Sequence, residues 1–122
     1  MDRWGRGGYG AKRRRLLVAL LLVALTSVGC ATYRGGQLYT SGTEALDQGD
    51  TSRAIADLER AAELAPHRSE IQNHLGLAYA ADGRDREALL AFRRAVALDC
   101  GNQAARRNLQ AAETRETLVT DP

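Results

Sequence analysis

Between positions 35 and 102 the sequence repeats itself at a fixed offset of 34 residues. Gly42 returns as Gly76, Gly49 as Gly83, Ala54 as Ala88, Ala61 as Ala95 and Leu64 as Leu98; Leu58 is answered by Phe92, and Pro66 by Cys100. No gap interrupts the match, so the chain carries two tandem copies, 35–68 and 69–102. A unit of this length has too little apolar surface to hold a core alone. Stacked units bury a continuous one, so the fold of each copy depends on its neighbour.

Each copy reads as two helices. In the second, Ile71, Leu75, Ala78 and Tyr79 fall at i, i+4, i+7 and i+8, one face of an α-helix. Ser69 is placed to cap that helix, with Gln72 three residues on completing a capping box. Asp82-Gly83 ends it. Ala88, Phe92, Ala95 and Val96 then form the stripe of a second helix. Gly76 and Ala88 are small enough for the two helices to approach closely, with Phe92 and Tyr79 filling the space beside them. Applied to both copies, the pattern predicts helices over 37–48, 51–64, 70–81 and 85–98. Turns are expected at Gly49-Asp50, Ala65-Pro66-His67, Asp82-Gly83 and Cys100-Gly101. A fifth helix over 103–115 starts from Asn102 as N-cap. Its narrow stripe of Ala105, Leu109 and Ala112 suits a helix that caps a stack. Residues 116–122 read as a frayed tail.

Leu75-Gly76, Tyr79, Ala88, Phe92 and Ala95 stand at the spacing W-x2-L-G-x2-Y, A-x3-F, P, and the second copy resembles the tetratricopeptide repeat. Gln72 replaces the Trp and Cys100 the Pro, whereas Pro66 keeps the Pro in the first copy. Leu38, Ser41 and Ala45 stand for Trp, Leu and Tyr there, as befits a terminal repeat. The resemblance implies an all-α fold of helix-turn-helix repeats, a short α-solenoid. It also implies a non-enzymatic protein-interaction role without a cofactor. In such arrays the first helix of each pair lines a concave groove. On this chain that implies partner contacts from Tyr39, Thr43 and Leu46, from Asn73 and Leu77, and from Arg107 of the fifth helix.

Residues 1–29 have the makings of an export signal. Arg3, Arg6, Lys12, Arg13, Arg14 and Arg15 precede an unbroken Leu/Val/Ala run from Leu16 to Leu25, and small residues follow. The run is shorter than the ~18 residues of a membrane-spanning helix; a short uncleaved anchor is the alternative. Val28-Gly29-Cys30 resembles the end of a bacterial lipobox, although Ser27 stands where Leu, Val or Ile is usual. The resemblance implies cleavage before Cys30 and lipid on its thiol. Ala31, which is not Asp, implies an outer-membrane lipoprotein facing the periplasm; periplasmic or inner-membrane placement is the alternative. Residues 30–36, polar and Gly-containing, read as a short tether.

The whole chain carries 17 basic and 15 acidic residues, a net +2. Without residues 1–29 it retains 11 and 14, a net −3. The basic excess belongs to the export segment, which excludes a nucleic-acid surface on the repeats. If Cys30 carries lipid, Cys100 has no partner within the chain and is either an idle thiol or one half of an intermolecular disulfide. His67 and His74 are the only histidines, too few for a zinc site. There is no nucleophile–base pair and no phosphate loop. The expected protein is a lipid-anchored adaptor that supports a multiprotein complex such as a pilus or secretion machine. A regulator or scaffold for a cell-wall or outer-membrane assembly enzyme is the alternative. A protein is the expected partner, with a second copy of the chain a further candidate.

Overall fold

The computed structural model describes the backbone of residues 8–120 and the side chains of residues 12–23 and 33–118. Five helices cover the described residues: α1 (Gly8–Asp47), α2 (Thr51–Leu64), α3 (Ser69–Ala81), α4 (Asp85–Leu98) and α5 (Gln103–Thr120). The chain divides into two units, Met1–Ala31 and Thr32–Pro122. In the first, every described Leu and Val from Leu16 to Val23 is more than half exposed. No described helix is long and apolar enough to cross a membrane. Arg3 and Arg6 lie outside the described residues, and Cys30 outside the described side chains.

The second unit holds the core. Ala54, Leu58 and Ala61 of α2 and Ala88, Phe92 and Ala95 of α4 are all at most 3% exposed, so the 34-residue register is also a register of burial. Ala45, Ile55, Leu58, Leu75 and Ala78 pack with Ala54 into one cluster, shared by α1, α2 and α3. Burying a side chain of the size of Leu58 is worth about 1.5–3 kcal/mol. Most of the remaining core positions are alanine, which lets the helices come close rather than filling wide gaps.

The turn between paired helices is built twice in the same way. Gly49 and Gly83 take φ values of 78° and 75°, the left-handed region that glycine enters without a Cβ clash. Asp50 N–H donates to the Ala45 carbonyl at 2.9 Å, and Arg84 N–H donates to the Tyr79 carbonyl at 2.8 Å, the equivalent bond. The two turns are tied together where Thr51 Oγ1 donates to Asp82 Oδ1 at 3.1 Å. Asp50 caps α2, its Oδ1 accepting from Arg53 N–H.

Three expectations are corrected. Residues 30–36 are helical, part of α1, rather than an irregular tether. Gly35 is buried, and a Cβ on it would stand 3.3 Å from that of Leu64, so here glycine serves a close helix contact. Ser69 does not cap α3. Arg68 is the N-cap residue and offers no side-chain hydrogen bond. The Ser69 hydroxyl turns to α4 instead, donating to the Ala95 carbonyl at 2.9 Å while accepting from Asn102 Nδ2 at 2.8 Å. Gln72 makes no capping box; its Oε1 is buried without a hydrogen-bond partner. Finally, α5 continues to Thr120, past the expected end at 115. Asp121 and Pro122 lie outside the described residues.

Candidate protein-binding groove

The first helices of the pairs stand side by side, and the same contact joins them twice. Tyr39 of α1 meets His74 of α3, hydroxyl to Nδ1 at 3.2 Å; Asn108 Nδ2 of α5 donates to Asn73 Oδ1 of α3 at 2.9 Å. Both pairs are 35 residues apart, one repeat plus one position. The second helices, α2 and α4, pack behind. This arrangement leaves one face of α1, α3 and α5 in a row.

At the α1–α3 junction, the Tyr39 and His74 rings meet edge to face, 5.2 Å between centroids at 86°. His74 Nδ1 also lies 2.9 Å from the Glu70 carbonyl, which can only accept. That assigns the hydrogen to Nδ1, and the longer contact is then accepted by the Tyr39 hydroxyl. Arg68 stacks over the Tyr39 ring at 5.6 Å. Burial, then the Glu70 carboxylate, push the Tyr39 phenol above its ordinary value, while Arg68 pulls the other way.

At the α3–α5 junction a small cleft of about 70 Å3 opens. Leu77 and Ala80 of α3, Phe92 of α4 and Ala111 of α5 form its apolar part, with Asp85 and Arg115 also on its walls. Neither of these charges has an ion-pair partner among the described residues. The cleft therefore offers an apolar seat for one aliphatic side chain and two opposite charges for the backbone or side chains flanking it.

The residues expected to bind a partner are not all brought together. Leu77 lines the cleft and Tyr39 is partly buried at the next junction; Thr43 is partly exposed, its hydroxyl donating to the Thr40 carbonyl. Leu46 packs against the core cluster. Asn73 is 5% exposed and its Oδ1 is occupied by Asn108, so it serves helix packing. Arg107 stands with Val96 and Gln103 on a separate, open cleft of about 500 Å3 between α4 and α5. Sequence reasoning placed His74 on the helix surface or groove but missed Asn108, Ala111 and Arg115. The repeat register could have found two of them, since His74 and Asn108 are the same position 34 residues apart, as are Leu77 and Ala111.

Away from this face, the Tyr79 hydroxyl donates to Glu59 Oε1 at 2.5 Å and Arg84 stacks over the Tyr79 ring at 4.6 Å. Burial and that hydrogen bond push the Tyr79 phenol up to about 12. Cys100 is an exposed free thiol. Among the described residues, no group of three His, Cys, Asp or Glu side chains could hold a metal ion.

Antiparallel helix pairs in fixed register, with an open face along their first helices, define a helical-repeat interaction module. The tetratricopeptide repeat family model matches residues 39–105, more than half of the chain, and the chain belongs to that family. No curated protein matches the sequence. The tetratricopeptide repeat is generally a non-catalytic, protein-binding fold, and protein–protein interaction is the function class it defines here.

Proposed function

We propose that this chain is a lipid-anchored adaptor of the bacterial envelope. Lipid on Cys30 holds it at the outer membrane, facing the periplasm, and the face of α1, α3 and α5 recruits a protein partner into a larger complex such as a pilus or secretion machine. The observation that carries the binding role is the α3–α5 cleft. It sets apolar walls beside Asp85 and Arg115, two opposite charges with no ion-pair partner among the described residues. The anchor is supported by the basic segment, the exposed apolar run from Leu16 to Val23, and Val28-Gly29-Cys30. Each acyl chain contributes about 0.8 kcal/mol per buried CH2, so two or more chains hold a protein of this size stably.

Cys30→Ala tests the anchor. The wild type takes up labelled fatty acid and sediments with membranes, and the variant does neither; equal membrane partition without label in both forms sinks this reading. In-cell crosslinking followed by mass spectrometry tests the adaptor role. Capture of pilus or secretin components supports it. Capture of a cell-wall hydrolase alone replaces it with an enzyme-regulating scaffold.

A further inference from the structure

A third cleft, of about 670 Å3, lies between α1 and α2. Arg34, Gln37 and Leu38 of α1 and Ala56, Arg60 and Leu64 of α2 are on its walls. The register explains its character. Thirty-four residues after Gln37 and Ser41 come Ile71 and Leu75, which are buried, Leu75 in the cluster with Ile55 and Leu58 of the preceding repeat. At these two positions the first copy is polar where the second is apolar and buried. This end of the stack is therefore built to meet something polar.

Its charges are unbalanced. Asp57 is already engaged: the Ser41 hydroxyl donates to its Oδ2 at 2.6 Å and Arg53 stands 3.7 Å away. Arg34 and Arg60 are exposed and have no ion-pair partner among the described residues. Two free guanidiniums on one cleft suit an oxyanion, which the planar fork of arginine can grip through two hydrogen bonds. Position matters as well as charge. Arg34 follows Cys30 by four residues, a span of at most about 14 Å however the backbone runs. With lipid on Cys30, Arg34 and its cleft stand within reach of the headgroups, where charge acts over about 8 Å at physiological salt.

We propose that the α1–α2 cleft takes the phosphate of an anionic phospholipid headgroup, docking the repeats on the bilayer by this end and leaving the face of α1, α3 and α5 open. The proposal rests on the lipid-anchor reading and adds to it a second, electrostatic contact.

The test uses the full, lipidated protein with Cys100→Ser and a nitroxide on Ala56→Cys, reconstituted into vesicles of phosphatidylcholine with or without phosphatidylglycerol. A label on Gln110→Cys of α5 is the control. Collision with a water-soluble paramagnetic reagent should fall severalfold for the Ala56 label with phosphatidylglycerol present, and stay constant for the Gln110 label. The protection should vanish in Arg34→Gln/Arg60→Gln, whose melting temperature is checked to be unchanged, and at high salt. Equal collision rates in both vesicles overturn the proposal, as does protection that survives the double variant. Equal protection by inorganic phosphate in pure phosphatidylcholine also overturns it, because the cleft then takes a soluble anion. The intact mass separates the two readings. An unacylated Cys30 removes the anchor and this proposal together; an acylated protein without protection removes this proposal alone.

Discussion

A Cβ placed on Gly76 would stand 2.5 Å from Cε1 of Phe92. One repeat earlier, a Cβ on Gly42 would stand 2.7 Å from Cγ of Leu58. In both copies the large residue of the second helix lies directly on the glycine of the first, so each fixes how closely its pair can pack. Gly36 is the internal control: it is helical too, but an added Cβ there meets nothing within 4 Å. Gly76→Ala should therefore destabilise by about 1–3 kcal/mol through overpacking against a buried ring. Gly36→Ala should stabilise by up to ~1 kcal/mol through helix propensity. Thermal melts of the two variants should shift in opposite directions; parallel shifts would remove the packing role assigned to Gly76.

Ser69 is 4% exposed and bridges the end of α4 to the cap of α5, between the Ala95 carbonyl and Asn102 Nδ2. Asn102 in turn caps α5, its Oδ1 accepting from Ala105 N–H at 3.0 Å. Ser69→Ala removes two hydrogen bonds, leaving the Ala95 carbonyl with Asp99 N–H alone at 3.0 Å and Asn102 Nδ2 without its acceptor, and should lower stability by about 0.5–1.5 kcal/mol per bond. A residue that only capped α3 would instead affect the helicity of α3 locally. Hydrogen exchange decides between them: protection should fall in α5 as well as in α3.

Gln72 is 8% exposed, and its Oε1 has no partner. A buried acceptor left unpaired costs about 1–3 kcal/mol, and removing it recovers part of that. Gln72→Met, close in volume, is expected to raise stability by ~1 kcal/mol in urea unfolding. A loss of stability would mean that the amide makes an interaction the packing does not reveal.

Tyr79 gives a pH signature. Burial and the hydrogen bond to Glu59 favour the neutral phenol, raising it in the folded protein from the ordinary ~10 to about 12. The stability this supplies is complete below pH 10. It is lost as pH rises from there through about 12, because the unfolded chain ionises first. Alkaline unfolding of the wild type should thus be steeper over this window than that of Tyr79→Phe. Identical pH profiles would show that the bond to Glu59 contributes nothing in solution.

Much of the fold was legible because the repeat doubles its own evidence. Gly42 with Gly76 and Leu58 with Phe92 gave the register, and the helical periods gave α2 and α4 to their end residues. What was not legible depends on contacts distant in sequence. Gly35 and Gly36 read as flexible, yet Gly35 is where α1 touches Leu64, about thirty residues on. Ser69 has the chemistry of a cap, and only the position of Ala95 turns its hydroxyl away. Asn73 has the chemistry of a partner contact, and only the approach of α5 assigns it to Asn108. Which side chains the face of α1, α3 and α5 presents depended on what the neighbouring helices cover.

The claim on which the account turns is that a protein partner seats at the α3–α5 cleft. Once a partner is captured, its affinity should be measured for Leu77→Ala/Arg115→Ala and for Arg94→Ala, a change on an exposed position of α4. Both variants are first checked for unaltered helical content. The account predicts that the cleft variant binds at least about tenfold more weakly, ~1.4 kcal/mol, while Arg94→Ala binds like the wild type. A folded cleft variant that binds as tightly as Arg94→Ala would contradict it and move the partner to another surface.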